Sequence, residues 1–219
     1  MFKHCKLSPY KIKKILFYFS QDLTATQTAQ IMKLNRKTIN RYYKLFRQAI
    51  AKYSEQDNIF DGEVELDESY FGGKHKGKRG RGSENKIPVF GILKRNGRVY
   101  TQIIPNSASK TLMEIVHSKV DLDSIVYTDS FRAYNNLSLS GYKHYRINHS
   151  KEFARGKNHI NGIEIFWGYC KMRLSKFNGL KSEDFHLHLK ESEFRFNNRN
   201  EDLYKTLIPV IKEFRDVLV

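Results

Sequence analysis

At 219 residues with 40% hydrophobic side chains, the chain has room for one average domain plus a small module and enough apolar content to fill a core, which excludes disorder as its main state. Its 39 Lys and Arg against 23 Asp and Glu give a formal charge of +16, an excess that calls for a polyanion, nucleic acid ahead of an anionic membrane surface. The 2 cysteines, Cys5 and Cys170, stand too far apart in sequence to suggest a disulfide framework or a Cys-x-x-Cys zinc site.

The first 60 residues carry 12 basic and 3 acidic side chains, and the remaining residues 27 and 20, so the small N-terminal piece is the more basic. The apolar run Ile15 to Phe19 is too short for a signal-peptide core or a membrane span, so a cytoplasmic protein with no membrane partner is expected. Ile12, Ile15, Leu16 and Phe19 follow helical spacing behind Pro9, which suits a first helical turn. Thr24 suits the cap of a second helix carrying Thr28 and Ile31. A third helix begins near Arg36 with Ile39, Tyr43, Phe46 and Ile50 on one face. The turn-sized gap between the last two predicts a helix-turn-helix. The leading residues of its second helix, Arg36, Lys37, Thr38, Asn40 and Arg41, are then the candidates for base edges and phosphates in a major groove. A plain three-helix bundle with a basic solvated face is the alternative.

Strand-like runs begin at Val64, after a polar stretch. The expected organisation is therefore a module over 1–53, a linker over 54–62 and a second domain over 63–219. Glu63 to Phe71 alternates Val64 and Leu66 with Glu65 and Asp67. Ile87 to Lys94 and Arg98 to Ile104 flank Asn96-Gly97, a hairpin signal. A helix over Ser109 to Lys119, a buried strand over Ser124 to Thr128 ending at Asp129, a strand over Tyr142 to Ile147 and a helix over His159 to Leu174 follow. That order predicts an α/β fold: a ribonuclease H-like mixed sheet with flanking helices, preceded by the small all-α helix-turn-helix module.

In such a sheet the first strand and the strand after the first helix are neighbours, so Asp67 and Asp129 are expected side by side. Two adjacent carboxylates repel, and a divalent metal removes the penalty; Mg²⁺ keeps an incomplete protein shell and takes its other ligands from water and phosphate. On the helix from His159, a packing stripe of Ile160, Ile163, Trp167, Cys170 and Leu174 runs beside a polar stripe of Asn161, Glu164, Gly168, Lys171 and Ser175. The polar stripe borders the sheet face where the two aspartates belong. Either Glu164 or Asn161 could complete the shell, one turn apart, and Glu164 is preferred because its charge offsets that of a dication.

The segments Glu65-Leu66-Asp67-Glu68-Ser69-Tyr70-Phe71-Gly72-Gly73, Val126-Tyr127-Thr128-Asp129, His159 to Glu164 with Phe166-Trp167 and Lys171, and Phe194 to Arg199 resemble the DDE-type transposases of bacterial insertion sequences. The resemblance is to the small group with Asn or Glu at the third acidic position followed by Lys, and it covers roughly Asp61 to Arg199. It implies an enzyme using two Mg²⁺ or Mn²⁺ ions per site that cuts at transposon ends and joins the 3′ hydroxyl to target DNA. Asp67, Asp129 and Glu164 or Asn161 would be the ligands, with Lys171 an accessory residue near DNA. Double-stranded DNA, both element ends and target, is the implied partner, bound by a homodimer or higher oligomer in a bacterial, nucleoid-associated setting. Relatives often carry a zinc ribbon ahead of the catalytic domain; here only Cys5 stands there, so end recognition rests on the helix-turn-helix and the basic surface.

Gly72 to Arg79 is one residue from a phosphate-cradling P-loop, but Arg79 replaces the metal-binding Ser or Thr and Gly80-Arg81-Gly82 cannot open a helix. The segment reads instead as a basic loop offering Lys74, Lys76, Lys78, Arg79 and Arg81 to phosphates. His144, His149, His159, His186 and His188 lack the spacing of a zinc site and are expected at the surface or in hydrogen bonds. Arg195 and Arg199 are expected to be either structural or DNA-facing. The rival from another class is a non-enzymatic helix-turn-helix regulator derived from a transposase.

Overall fold

The computed structural model describes residues 7–56, 59–72, 86–147, 159–177 and 179–214. In chain order the elements are α1 (Pro9–Ser20), α2 (Ala25–Met32), α3 (Arg36–Ser54), β1 (Glu63–Phe71), β2 (Ile87–Lys94), β3 (Val99–Ile103), α4 (Ser109–Lys119), β4 (Ile125–Asp129), a 3-10 turn (Arg132–Asn135), α5 (Asn136–Leu139), β5 (Lys143–Ile147), α6 (Asn161–Leu174), α7 (Ser182–Asn197) and α8 (Leu203–Phe214). They form two compact units, residues 1–56 with 180–219, and residues 57–179. Among the described residues no helix is long and apolar enough to cross a membrane.

In the first unit each of the three leading helices is started by a side chain. Ser8 accepts from Lys11 N, Thr24 and Gln27 form a reciprocal capping box, and Asn35 Oδ1 accepts from Lys37 N at 2.7 Å. Between α2 and α3 the chain turns through Lys33 at φ 51°, a left-handed residue that closes α2 and lets Asn35 open α3 two residues later. Ile12, Ile15, Leu16 and Phe19 of α1 and Ile39, Tyr43, Phe46 and Ile50 of α3 are buried together, as their spacing predicts. Ile31 is 54% exposed; Thr28 and Ala29 are what α2 turns inward, with the Thr28 hydroxyl 2.7 Å from that of Tyr43.

Element order groups α7 and α8 with the sheet domain, yet they pack on α1 and α3. Phe194, Leu207, Val210 and Ile211 complete the apolar core of the first unit. A buried ionic triad joins three of its helices. Arg47 Nε lies 2.6 Å from Glu191 Oε2, Arg195 Nε 2.9 Å from Glu191 Oε1, and the Arg195 guanidinium donates to the carbonyls of Ser20 (2.9 Å) and Phe19 at the end of α1. Arg195 is thus structural, satisfying carbonyls that a helix terminus otherwise leaves unpaired. Arg199 is exposed and bonds the Phe196 carbonyl of its own turn. Sequence distance gives no hint of such a return, because the partners of Glu191 lie 144 residues upstream and 4 downstream.

In the second unit the sheet order is β3-β2-β1-β4-β5. β1, β2 and β3 form an antiparallel meander, whereas β4 runs parallel to β1 and β5 parallel to β4. These strand directions and this order, with helices on both faces, make a ribonuclease H-like fold. Asn96 accepts φ 56° to turn β2 into β3. Val64, Leu66, Phe90, Ile92 and Val126 pack on Leu112 and Val116 of α4. The opposite face receives α6: a side chain at Gly91 would strike Trp167 Cζ2 at 2.6 Å, so only glycine lets the indole settle on β2.

Replacing Glu191 by Ala removes the carboxylate that two buried guanidinium groups share. We expect a loss of about 3–5 kcal/mol from the first unit in urea denaturation. A loss of less than about 1 kcal/mol would show that the triad does not hold α7 in place.

Candidate active site

β1 and β4 are paired from Glu63 and Ile125 to Glu65 and Tyr127, where the parallel ladder ends. Two residues further along each strand stand Asp67 and Asp129. In open α/β sheets ligands settle at this place, the crevice beyond the carboxyl ends of parallel strands. Alternation along β1 puts Glu65 and Asp67 on the α6 face, and it puts Val64, Leu66 and Glu68 on the α4 face. Glu68 accordingly receives the Tyr134 hydroxyl at 2.6 Å, within the opposite layer.

Asp67 is partly buried, and its Oδ2 accepts from the Trp167 indole at 3.1 Å. Burial, then the charges of Glu68 and Asp129, and further Glu164, push its carboxyl up to about 7. Among the described residues no cationic side chain pairs with it. Asp129 uses Oδ1 to accept from Phe131 N at 2.8 Å, an Asx-type contact that shapes the exit from β4. Beside it on β5, His144 Nε2 lies 2.9 Å from Thr128 Oγ1, and burial, helped by Arg146, pushes this imidazole down to about 4.

Helix α6 presents its two faces as its sequence predicts. Ile163, Phe166, Trp167 and Cys170 are buried, while Asn161, Glu164, Gly168, Lys171 and Ser175 are exposed. A Cβ on Gly168 would meet nothing within 4 Å, so packing inside the protein does not demand glycine there. The Lys171 ammonium sits over the Phe71 ring, 5.9 Å from its centroid, and Phe71 in turn meets Trp167 edge to face at 6.0 Å. Lys171 is thereby directed toward the end of β1.

Of the sequence-predicted residues, Asp129 and Glu164 come within electrostatic reach of Asp67, and Asn161 and Lys171 share the exposed stripe with Glu164. In the other unit Arg36, Lys37, Asn40 and Arg41 are exposed along the start of α3, and Thr38 is half-buried. Lys74, Lys76, Lys78, Arg79 and Arg81 lie outside the described residues, as does His149. Among the described residues no three His, Cys, Asp or Glu side chains are gathered closely enough to hold a metal ion as they stand. The donor chemistry nevertheless fits a hard dication: carboxylate oxygens at adjacent strand ends, one of them desolvated, repelled by its neighbours and lacking a protein cation.

Four residues that the sequence did not single out support this arrangement. Glu65, 1% exposed, accepts from Ile163 N (2.9 Å) and Arg95 Nε (3.0 Å), and Gly91 and Gly162 make room for the helix. The available signal was a second carboxylate two residues before Asp67, on the strand face that must bury against α6.

The fold, with acidic residues at the ends of its central strands and on the helix behind them, defines a DDE transposase/integrase-like catalytic fold, a class whose chemistry is phosphoryl transfer. The family model for the ISXO2-like transposase domain matches residues 59–197, and the chain belongs to that family. An uncharacterized transposase-like protein of Haemophilus influenzae is 50% identical over 116 residues, covering 53% of this chain and 92% of the relative. An uncharacterized protein in transposable element ISH50 of Halobacterium salinarum is 26% identical over 194 residues, covering 78% of this chain and 65% of the relative. Among solved structures, the HTLV-2 integrase catalytic core domain in complex with magnesium is 12% identical with a TM-score of 0.38, covering 65% of this chain and 89% of that one.

The raised carboxyl of Asp67 has a measurable consequence. In the unfolded chain it ionises near 3.8, whereas in the folded chain it keeps its proton to about 7. Its stabilising contribution is therefore full below about pH 4 and is lost as pH rises through about 7. Asp67→Asn should come closest to the wild type in urea denaturation at about pH 4, draw ahead as pH rises from there, and exceed it by on the order of a few kcal/mol at pH 8 in EDTA. A difference that does not vary with pH would contradict the buried, repelled carboxyl.

Proposed function

We propose that the chain is the transposase of an insertion sequence, binding element ends and carrying out strand cleavage and strand transfer. The reading is carried by one observation: Asp67 is a desolvated carboxyl that no cationic side chain among the described residues pairs with, and the charges of Asp129 and Glu164 bear on it at the end of β1. Asp67, Asp129 and Glu164 would hold Mg²⁺ or Mn²⁺, and two such ions, when bound, supply activation of a water or 3′ hydroxyl and stabilisation of the leaving oxygen. Glu164 is favoured over Asn161 because its charge already bears on Asp67, whereas a neutral amide offsets no cation charge.

The chain's own groups set the geometry around that reaction. The Trp167 indole holds Oδ2 of Asp67 from the α6 side. Lys171, at the same end of β1, offers a cation to a backbone phosphate, and the open surface at Gly168 lets a sugar-phosphate strand approach α6 closely. Arg36, Lys37, Asn40 and Arg41 would read the element end in a major groove, with Thr38 beside them. The basic segment with Lys74, Lys76, Lys78, Arg79 and Arg81, outside the described residues, would add phosphate contacts. The working form is a homodimer or higher oligomer on double-stranded DNA, engaging element ends and target in the bacterial cytoplasm.

The test is a plasmid carrying the element's ends, incubated with the purified chain in Mg²⁺ or EDTA. Nicked and joined products should form only with metal. Asp67→Asn and Asp129→Asn should abolish them without loss of DNA binding, Glu164→Gln should lose cleavage, and Asn161→Ala should keep a measurable fraction. Binding without strand chemistry in either metal would instead assign a DNA-binding regulator.

Deleting residues 1–53 would strip α7 and α8 of their packing partners, so end recognition is better tested by Arg36→Ala with Arg41→Ala. This pair should remove end preference and lower the salt dependence of binding by about 0.9 per lost phosphate contact. Unchanged preference would take the helix-turn-helix out of the mechanism.

A further inference from the structure

Helix α6 carries the only residue of the proposed ligand set that does not come from a strand, and its entry is built in an unusual way. Helices ordinarily satisfy their first N–H groups with a Ser, Thr, Asp or Asn just ahead of them. Here the preceding residue is Ile160, which has no side-chain cap to offer. The donor at Ile163 is satisfied from 98 residues away: Glu65 Oε2 accepts its N–H at 2.9 Å. The other Glu65 oxygen receives Arg95 Nε at 3.0 Å and lies 3.6 Å from His159 Nδ1. Arg95 then spreads across the junction. Nη1 donates to Glu63 at 2.8 Å, Nη2 to the His159 carbonyl at 2.5 Å, and the guanidinium lies flat against Tyr127 of β4, 3.6 Å from the ring centroid. A Cβ on Gly162 would come within 2.9 Å of Glu65 Oε2, so the carboxylate fits beneath the first turn only because that residue is glycine.

We propose that Glu65 is a positioning residue: with Arg95 and Gly162 it clamps the start of α6 to β1 and so sets the height at which Glu164 stands over Asp67. The proposal rests on the metal-dependent reading above. Glu65 and Asp67 lie on one face of one strand, about 6.6 Å apart along it. Ile163, which Glu65 holds, immediately precedes Glu164. One side chain therefore fixes the spacing between β1, which bears Asp67, and α6, which bears Glu164. The apolar contacts of Ile163, Phe166, Trp167 and Cys170 keep α6 on the sheet, but apolar attraction is non-directional and tolerates a small slide along the helix axis. A charge-assisted hydrogen bond to a single N–H does not. The arrangement also separates neighbouring carboxylates: Glu65 is paired with Arg95, whereas no cationic side chain among the described residues pairs with Asp67.

The chain's single tryptophan provides a direct readout, since Trp167 donates to Asp67 and rides on α6. Titration of the full chain with Mn²⁺, a paramagnetic quencher, should quench Trp167 fluorescence saturably, and Asp67→Asn should abolish the saturable phase. Glu65→Gln, which keeps an acceptor but loses the charge, should retain a cooperative unfolding transition and wild-type DNA affinity. Its Mn²⁺ midpoint should rise at least tenfold and its strand-transfer rate at saturating DNA should fall at least tenfold. Gly162→Ala removes no charge and favours the helix state, so a role confined to helix stability predicts unchanged or improved behaviour. The clamp predicts the same two losses as Glu65→Gln. Wild-type Mn²⁺ midpoints in both variants would overturn the proposal, as would turnover losses that track only a loss of folded protein. If the wild-type chain joins no strands, the functional reading fails, and the Mn²⁺ midpoints still decide whether Glu65 positions α6.

Discussion

The buried carboxylate of Glu65 under the first turn of α6 ties that helix to the sheet. It is 1% exposed, a placement that would be prohibitive for a lone charge, and it is sustained by Arg95 and by the Ile163 N–H. Because Arg95 also bonds Glu63 and the His159 carbonyl and stacks on Tyr127, the same guanidinium ties together the β2–β3 turn, β1, β4 and the segment entering α6. The crevice at the ends of β1 and β4 has its third wall because that junction closes. Gly91 and Gly162 serve the same end by allowing the indole and the carboxylate to approach closely.

Much of this architecture was legible in the sequence. β1, β2 and α4 fall where their alternation and periodicity predict, because each buries one face and leaves the other to polar residues. Neighbouring central strands follow from the order of elements, and with them the placement of Asp67 and Asp129 two residues beyond the end of the β1–β4 ladder. The Glu65 clamp was not legible, for a physical reason. A buried carboxylate is defined by partners 30 and 98 residues away, and no local pattern distinguishes it from a solvated strand Glu. Trp167 was read as a packing residue, which it is; that its indole nitrogen also holds Asp67 depends on a helix-to-strand distance that periodicity does not encode.

The first unit teaches a related lesson. Its leading helices were readable from capping residues and apolar spacing, yet they do not form a complete core alone. α7 and α8 return from the far end of the chain to supply Phe194, Leu207, Val210 and Ile211, with the Arg47–Glu191–Arg195 triad fixing α7. A buried triad of this kind adds little net stability over an apolar substitute, but it penalises any packing that leaves a charge unpaired. The sheet domain is therefore an insertion between the two halves of a helical unit, and the basic face of α3 belongs to a body built from both ends of the chain.

The central claim is that α6 and the two strand ends form one divalent-metal site. Anomalous diffraction from Mn²⁺-soaked crystals of the chain bound to a duplex carrying an element end tests it most directly. The account predicts anomalous density bounded by carboxylate oxygens of Asp67, Asp129 and Glu164, with Glu65 still on Ile163 N and Arg95. Manganese bound elsewhere, or a Glu164 turned away with Asn161 in its place, would contradict it.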